Sequence, residues 1–228
     1  MKPVILIIII FYFPYSILPT IYYRCFNKKI MKNFGTTKHI ALTFDDGIDK
    51  IYTEKLLDLL NDYDIKVTFF ILAKTVDENL DIIKRMIDEG HLIALHSLEH
   101  KNLLFRGCFY TKYDFETSME IFKRNNLNIK YYRPPWGVFN LFMLKYIKKY
   151  DLKPILWDTM VGDWRKCSTS KDIERKLMKK IKDGSIICLH DGRGRDEAPS
   201  RTIEALERVI PLLKEKGYEF ITMEHIYD

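Results

Sequence analysis

Two adjacent carboxylates end an apolar run in the first quarter of the chain. Asp45 and Asp46 follow residues 39–44, whose composition is typical of a buried β-strand. Gly47 then allows the backbone to leave the strand sharply. Two acids at the mouth of a strand are costly to hold unless a positive group neutralises them. A solvated Asp-Asp-Gly turn is the alternative, so the interpretation depends on partners elsewhere in the chain.

A histidine pair offers the first such partners. His96 and His100 are spaced i, i+4, and one helical turn would bring both rings to the same face. The same spacing occurs in helical zinc sites. Two histidines and one carboxylate make a three-ligand metal site that leaves positions open for water. A solvated histidine pair is the alternative, and the acids at positions 45 and 46 favour the metal site.

Further polar residues follow other predicted strands. His190 leaves an apolar strand and is a candidate acid or base near neutral pH, although a histidine that only caps the strand is the alternative. Arg133 lies in a stiff Pro-Pro segment, which suits a guanidinium that holds a carboxylate; a plain loop before a helix is the alternative. Asp163 could pair with a histidine. Trp164 could lie against the face of a sugar or pack in the core.

Apolar and amphipathic segments alternate from about residue 36 to residue 228. Strands are predicted at residues 39–44, 66–72, 91–95, 131–133, 154–157, 185–189 and 220–222. Helices are predicted near residues 51–63, 82–90, 113–126, 140–150, 168–184 and 203–217. This alternation predicts an α/β fold with a parallel sheet. Seven units favour a distorted, incomplete (β/α) barrel, with an open doubly wound sheet as the alternative. Either fold gathers the polar clusters at the carboxyl ends of the strands, where α/β active sites are built.

Composition narrows the class of protein. A chain of 228 residues with 47% hydrophobic residues is large enough for one domain with a full core. The net charge is +6, but the basic residues are spread out, so no nucleic-acid binding is expected. The cysteines form no C-x-x-C pair, which excludes a zinc ribbon and a thioredoxin motif, and a disulfide among them stays open. They are Cys25, Cys108, Cys167 and Cys188, the last expected as a buried small hydrophobe.

The first 23 residues form a separate apolar segment. Residues 4–18 are almost entirely apolar, with Pro14 as an interruption, and their length approaches the ~20 residues that span a bilayer. We therefore expect residues 1–35 to be an N-terminal membrane anchor or uncleaved signal segment with a juxtamembrane stretch. Residues 36–228 would then form the catalytic domain. A cleaved signal peptide and a buried globular helix are the alternatives.

Five motifs in one order resemble those of the polysaccharide deacetylase (NodB-like) family, carbohydrate esterase family 4. They are Thr-Phe-Asp-Asp-Gly at 43–47, His-Ser-x-x-His at 96–100, Arg-Pro-Pro-Trp-Gly at 133–137, Asp-Trp at 163–164 and Leu-His-Asp at 189–191. The resemblance covers residues 38–223, nearly the whole predicted domain. Each motif alone is weak evidence, whereas all five in order are highly specific.

The resemblance implies a metal site and a base. Asp46, His96 and His100 would bind a divalent metal, usually zinc in this family, with Co²⁺, Mn²⁺, Fe²⁺ or Ni²⁺ as alternatives. Asp45 would be the general base that activates a metal-bound water. Arg133 would orient Asp45 and balance its charge.

The resemblance also implies an acid and a substrate pocket. His190 would be the general acid that protonates the leaving amine, and Asp163 would orient His190 and tune its pKa. Leu189 and Trp164 would line the pocket for the acetyl methyl group. The backbone amide of Trp136 would help to bind the oxyanion.

Three residues depart from the family pattern. Ile48 stands where the family usually has proline, which is expected to relax the loop without affecting the chemistry. Met160 stands where many members have another acid, which puts the finer tuning of His190 in question. Trp136 replaces a commoner tyrosine, but a role that depends on its backbone should survive.

The expected function is metal-dependent hydrolysis of the N-acetyl amide of N-acetylglucosamine units in a cell-wall or related glycan, either peptidoglycan or a chitin-like oligomer. A catalytically weak glycan-binding module and a small-molecule amidase or O-acetyl esterase on the same fold are the alternatives. The expected partners are the glycan and a membrane, with no nucleic acid, and the expected state is a monomer.

The family also bears on location. Its substrates lie outside the membrane, so we expect a single N-terminal pass with the catalytic domain extracellular, or a secreted form. The basic residues that follow the apolar segment favour the opposite orientation. They are Arg24, Lys28, Lys29 and Lys32.

Overall fold

The centre of the molecule is a curled sheet of parallel strands. The computed structural model describes residues 8–27, 29–35, 37–192 and 197–226. The strands are β1 (His39–Asp45), β2 (Thr68–Leu72), β3 (Leu92–Ser97), β4 (Tyr131–Tyr132), β5 (Lys153–Pro154), β6 (Thr159–Met160), β7 (Ile186–His190) and β8 (Glu219–Phe220). Their order is β5-β4-β3-β2-β1-β7-β6, and β8 pairs with the start of β1. The predicted distorted, incomplete (β/α) barrel is confirmed. β6 was not predicted, because two residues are too few to show a periodic pattern.

Six helices connect these strands within the described part of the domain. They are α1 (Tyr52–Asp62), α2 (Leu80–Asp88), α3 (Cys108–Arg124), α4 (Leu141–Lys149), α5 (Ser170–Lys180) and α6 (Ala198–Glu215). Two of them begin at a capping side chain. Asn140 Oδ1 accepts a hydrogen bond from the Met143 amide at 2.8 Å, and Thr169 Oγ1 accepts one from the Asp172 amide at 3.1 Å. These caps explain why α4 and α5 begin close to their predicted starts, whereas α3 and α6 begin five residues earlier than predicted.

The side chains of β1 alternate between a face that packs against the helices and a face that points into the barrel. Ile40, Leu42 and Phe44 belong to the large core cluster between the sheet and the helices. Ala41, on the other face, belongs to a smaller cluster inside the barrel. Because successive side chains of a strand point to opposite faces, Asp45 shares the inner face with Ala41. β1 therefore carries the Asp45 carboxylate into the mouth of the barrel.

The N-terminal segment, defined as residues 8–27 and 29–35, packs against the domain. Its helical stretches are Ile8–Ile17, Leu18–Ile21 and Tyr22–Phe26. Tyr15 Oη donates a hydrogen bond to the Arg106 carbonyl at 2.8 Å, and Ser16 Oγ donates one to the Leu104 carbonyl at 2.7 Å. The Tyr23 ring stacks on Phe139 with the ring centroids 5.1 Å apart.

The expectation of a single N-terminal membrane pass is wrong. In the described ranges, no helix has both the length and the apolar character needed to cross a bilayer. Residues 1–7 of the apolar run lie outside the described residues. Pro14 lies within the first helical stretch, and the polar side chains that follow it bond to the domain rather than leaving an uninterrupted apolar surface.

Residues 31–35 bind the barrel at two places. Met31 forms a parallel bridge with Ile155, and Asn33 forms an antiparallel bridge with Ser185. The Phe34 amide donates to the Gly184 carbonyl at 2.9 Å. The domain boundary at residue 35 stays a prediction. All four cysteines are free thiols in the structure.

Gly184 and Gly217 form a matched pair for testing this attachment. Both have positive φ angles, +73° and +78°, so alanine at either site should cost about 1 kcal/mol of stability. A Cβ at Gly184 would also lie 2.3 Å from the Gly35 carbonyl oxygen, whereas a Cβ at Gly217 would meet nothing within 4 Å. Gly184→Ala should therefore destabilise by about 1–3 kcal/mol more than Gly217→Ala in urea unfolding. Equal losses would contradict the close packing of residues 33–35 on the barrel.

Candidate active site

Three potential metal ligands meet at the carboxyl ends of β1 and β3. Asp46 follows β1 with a φ of 73°, and His96 lies on β3. The two Nε2 atoms of His96 and His100 lie 3.6 and 3.3 Å from Asp46 Oδ1. The expectation that one helical turn joins the histidines is wrong. The chain turns tightly after β3 instead, with a φ of 57° at His100, whose amide donates to Ser97 Oγ at 2.8 Å.

The chemistry of these donors fits a divalent metal. Their ligand atoms all lie within 4.8 Å of one another. Ligand atoms about 2.0–2.2 Å from a zinc ion in tetrahedral geometry are roughly 3.3–3.6 Å apart, which matches the separations from Asp46. His96 Nδ1 lies 2.9 Å from the Arg133 carbonyl, so Nδ1 carries the proton and Nε2 keeps its lone pair. Burial lowers the pKa of His96, which favours the neutral ring that binds metals.

A buried ion pair lies beside the ligands. Arg133 Nη1 donates to Asp45 Oδ1 at 2.6 Å and to Thr43 Oγ1 at 2.7 Å. Both charged side chains are almost entirely removed from solvent. Burial alone would raise the pKa of Asp45, but the charges of Arg133 and His190 outweigh it and lower that pKa. Asp45 is therefore an ionised carboxylate in a dry site, as a base requires.

The surroundings of Arg133 fix its orientation. Nη2 donates to the Leu156 carbonyl at 3.3 Å, and the guanidinium lies over the Phe70 ring at 4.0 Å from its centroid. The backbone carbonyl of the same residue accepts from His96. Arg133 thus connects the candidate base to one of the candidate ligands.

A second pair joins His190 to Asp163. His190 Nδ1 lies 3.2 Å from each Asp163 carboxylate oxygen, and the His190 amide donates to Asp163 Oδ2 at 2.8 Å. Burial by itself would lower the pKa of His190, but the negative charge of Asp163 outweighs it and raises that pKa to about 9. His190 therefore carries a proton at neutral pH. Thr202 Oγ1 on α6 donates to Asp163 Oδ2 at 3.4 Å, a contact with no motif of its own in the sequence.

Trp136 lies in a strained turn after β4. Its φ and ψ are 54° and 9°, a left-handed conformation that is unusual for a bulky residue. Such a backbone conformation costs about 1–3 kcal/mol of stability and persists where the surrounding contacts hold the residue in place. Its ring packs on His100 with the centroids 4.2 Å apart. The turn thus places Trp136 beside the ligands.

One large cavity receives most of the predicted site residues. Its volume is about 1340 Å³. It is lined by Arg24, Asp45, Asp46, His96, His100, Trp136, Trp157, Met160, Trp164, Arg165, Lys166, Cys167, Cys188 and His190. Arg133 and Asp163 lie fully buried and contact lining residues. The structure brings these predicted residues together, while their individual roles remain predictions.

Leu189 is the exception among the predicted pocket residues. It belongs to the large core cluster on the helix side of the sheet and does not line the cavity. Strand alternation gives the inner position to Cys188, whose Sγ donates to Asp45 Oδ2 at 3.3 Å. Burial raises the pKa of Cys188 well above its usual value, so it stays a thiol. The expectation of a buried cysteine identified its burial but not this contact.

The structure places two of the residues that depart from the family pattern, Ile48 and Met160. Ile48 is buried and follows Gly47 through a cis peptide bond. Met160 lines the cavity. Arg24 also lines the cavity, a position without any sequence signal because its side chain contacts Trp136 and Trp157, more than 100 positions away.

The sequence model of the polysaccharide deacetylase family matches residues 32–155. A peptidoglycan-N-acetylglucosamine deacetylase of Bacillus cereus is 33% identical over 191 residues, which cover 83% of this chain and 88% of that protein. The peptidoglycan-N-acetylmuramic acid deacetylase PdaA of Bacillus subtilis is 33% identical over 201 residues, covering 84% and 73%.

The fold agrees with these similarities. A solved peptidoglycan N-acetylglucosamine deacetylase, bound to 4-naphthalen-1-yl-N-oxidanyl-benzamide, has a TM-score of 0.80 at 29% identity. The match covers 87% of this chain and 92% of that structure. Two other relatives are much longer, and the match covers 31% and 39% of their length.

The buried ion pair predicts a non-additive pattern of stability. Arg133→Met leaves an unpaired carboxylate in a dry site and should destabilise the protein by about 3–5 kcal/mol. Adding Asp45→Asn removes that charge and should restore part of the loss. Urea unfolding of both single variants and the double variant, with chelator present, measures the coupling. An additive result would contradict the ion pair.

The buried carboxyl of Asp114, which binds the turn between His96 and His100, predicts that stability depends on pH. Asp114 Oδ2 on α3 accepts from the Leu98 amide at 3.3 Å, and burial raises the pKa of Asp114 from 3.8 to about 7. The folded protein therefore keeps a proton that the unfolded chain releases between about pH 4 and 7. This contribution to stability is full below pH 4 and is lost as the pH rises to 7.

Asp114→Asn should therefore flatten the stability profile between pH 4 and 7 and raise stability at pH 8. Urea unfolding at a series of pH values measures both effects. Burial also raises the pKa of Asp191 to about 7, but Asp191 is present in both proteins, so the difference between the profiles isolates Asp114. Two parallel profiles would show that Asp114 titrates normally in the folded state.

Proposed function

Because the chain belongs to the polysaccharide deacetylase family, carbohydrate esterase family 4, we propose that it hydrolyses the N-acetyl amide of N-acetylglucosamine units in a cell-wall glycan. One observation carries the proposal: three potential metal ligands, an ionised acid and a protonated imidazole surround a single cavity. These are the groups that amide hydrolysis needs for nucleophile, base and acid.

The size of the cavity supports a polymeric substrate. Its volume of about 1340 Å³ exceeds the ~300–1,000 Å³ of most small-molecule pockets. Trp136, Trp157 and Trp164 provide flat apolar surfaces on which sugar rings can lie. The named relatives act on peptidoglycan, so we propose peptidoglycan as the substrate, with a chitin-like oligomer as the alternative that carries the same bond.

Asp46, His96 and His100 would hold a divalent metal, and their nitrogen and oxygen donors suit Zn²⁺ best. When bound, such an ion lowers the pKa of water toward about 7 and polarises the acetyl carbonyl. The His96–Arg133 hydrogen bond fixes the ring orientation, so the ligand geometry does not depend on the substrate.

Asp45 would take the proton of the attacking water. Arg133 occupies Oδ1, whereas Oδ2 accepts, among the described residues, only from the weak Cys188 thiol donor, so Oδ2 is the more available acceptor. The guanidinium keeps Asp45 ionised until the proton arrives. It also holds the carboxylate in one orientation, which removes the cost of arranging it during the reaction.

His190 would give a proton to the leaving amine. Asp163 binds Nδ1, which leaves Nε2 as the donating atom. The Trp136 amide would add a hydrogen bond to the oxygen that becomes negative as the carbonyl is attacked. The products are acetate and a free amino sugar, and the proton accepted by Asp45 balances the one that His190 supplies.

Acetate release from defined substrates tests this function. Full-length protein should release acetate from peptidoglycan, and a chelator should stop the release. Asp45→Asn should lower turnover at least about 100-fold while metal stays bound, because the variant lacks only the base. His96→Ala should lose both metal and turnover.

Asp62→Asn and His225→Ala, two exposed positions of the same residue types, serve as controls. Wild-type turnover by Asp45→Asn would show that another group is the base. Release from acetylated xylan alone would indicate an O-acetyl esterase. Protein that binds metal but releases nothing from any glycan would favour a small-molecule amidase, and protein with neither property would favour a glycan-binding module.

A further inference from the structure

The N-terminal segment supplies one side chain to the wall of the cavity. Arg24 lines the cavity, although it precedes the first strand by 15 residues. Arg24 Nη1 donates to the Trp136 carbonyl at 3.0 Å, and the guanidinium lies 5.9 Å from the centroid of the Trp157 ring. The segment expected as an anchor therefore reaches the turn that carries Trp136.

That turn needs external support. Trp136 and Gly137 both have positive φ angles, 54° and 64°. Within the turn, the Gly137 amide donates to the Pro134 carbonyl at 2.8 Å and the Val138 amide to the Pro135 carbonyl at 3.1 Å. A tryptophan in this conformation is kept in place only where further contacts hold it.

The N-terminal segment contacts the turn on both sides. Before Gly137, Arg24 binds the Trp136 carbonyl. After it, Thr20 Oγ1 accepts from the Phe139 amide at 2.9 Å and donates to the Phe139 carbonyl at 3.0 Å.

Glycine at position 137 leaves room for the Arg24 guanidinium against the backbone. A Cβ at Gly137 would lie 3.3 Å from Arg24 Nη1, so the guanidinium packs directly on the glycine backbone.

We propose that Arg24 is a positioning residue for the reaction. Its charged hydrogen bond to the Trp136 carbonyl keeps Trp136 in the left-handed conformation, which sets the direction of the Trp136 amide. Thr20 fixes the end of the same turn. The proposal rests on the proposed function, in which this amide binds the developing oxyanion. The N-terminal segment is then a working part of the site.

Hydrogen exchange and steady-state kinetics on the full-length chain test the proposal together. In Arg24→Ala, the amides of residues 137–139 should exchange about tenfold faster, and kcat should fall about tenfold with KM within about twofold of wild type. Arg24→Lys keeps a charged donor and should recover much of both losses. Thr20→Val keeps the side-chain shape without the hydroxyl and should change both readouts in the same direction.

Cys25→Ala is the matched control, because Cys25 is an exposed neighbour that does not line the cavity. It should change neither readout. Unchanged exchange at residues 137–139 in Arg24→Ala would overturn the proposal. A rise in KM alone would also overturn it, since Arg24 would then contact substrate directly. Faster exchange throughout β1 and β7 would assign Arg24 a general structural role instead.

Hydrogen exchange is measured without substrate, so its result does not depend on whether the proposed function is correct. A wild-type protein that releases no acetate contradicts the proposed function, while the exchange at residues 137–139 still decides whether Arg24 holds the turn.

Discussion

The buried pair of Arg133 and Asp45 is the constraint on which the site depends. A guanidinium and a carboxylate with almost no solvent contact are stable only when each satisfies the other. The pair joins β1 to the segment after β4, two strands that are not neighbours in the sheet. Through its backbone carbonyl, Arg133 also fixes the His96 ring. One residue therefore determines the ionisation of the candidate base and the orientation of a candidate ligand.

Two adjacent strands create opposite environments for the acid and the base. Asp45 and His190 are register partners on β1 and β7, so they lie side by side at the mouth of the barrel. Arg133 lowers the pKa of the first, whereas Asp163 raises the pKa of the second to about 9. Each group is thus held in the charge state that its proposed role needs at neutral pH.

The N-terminal segment packs against the domain that carries the site. Its apolar composition suggested a membrane anchor, but in the structure its polar side chains bind carbonyl groups of the domain. Arg24 and Thr20 bind the turn of Trp136 from two sides. A segment without a catalytic motif thereby supports the residue expected to face the oxyanion.

The sequence alone determined the parallel α/β fold, the approximate positions of most strands and the set of candidate reactive residues, because strand periodicity and motif spacing are local signals. Only the tertiary structure decided how His96 and His100 meet, through a turn rather than a helix. It also decided that Cys188 rather than Leu189 faces the cavity, since the pairing of β7 with β1 sets which side chains point inward. The same holds for Arg24 at the cavity wall. These features depend on contacts between residues far apart in the chain, and no short stretch of sequence encodes such contacts.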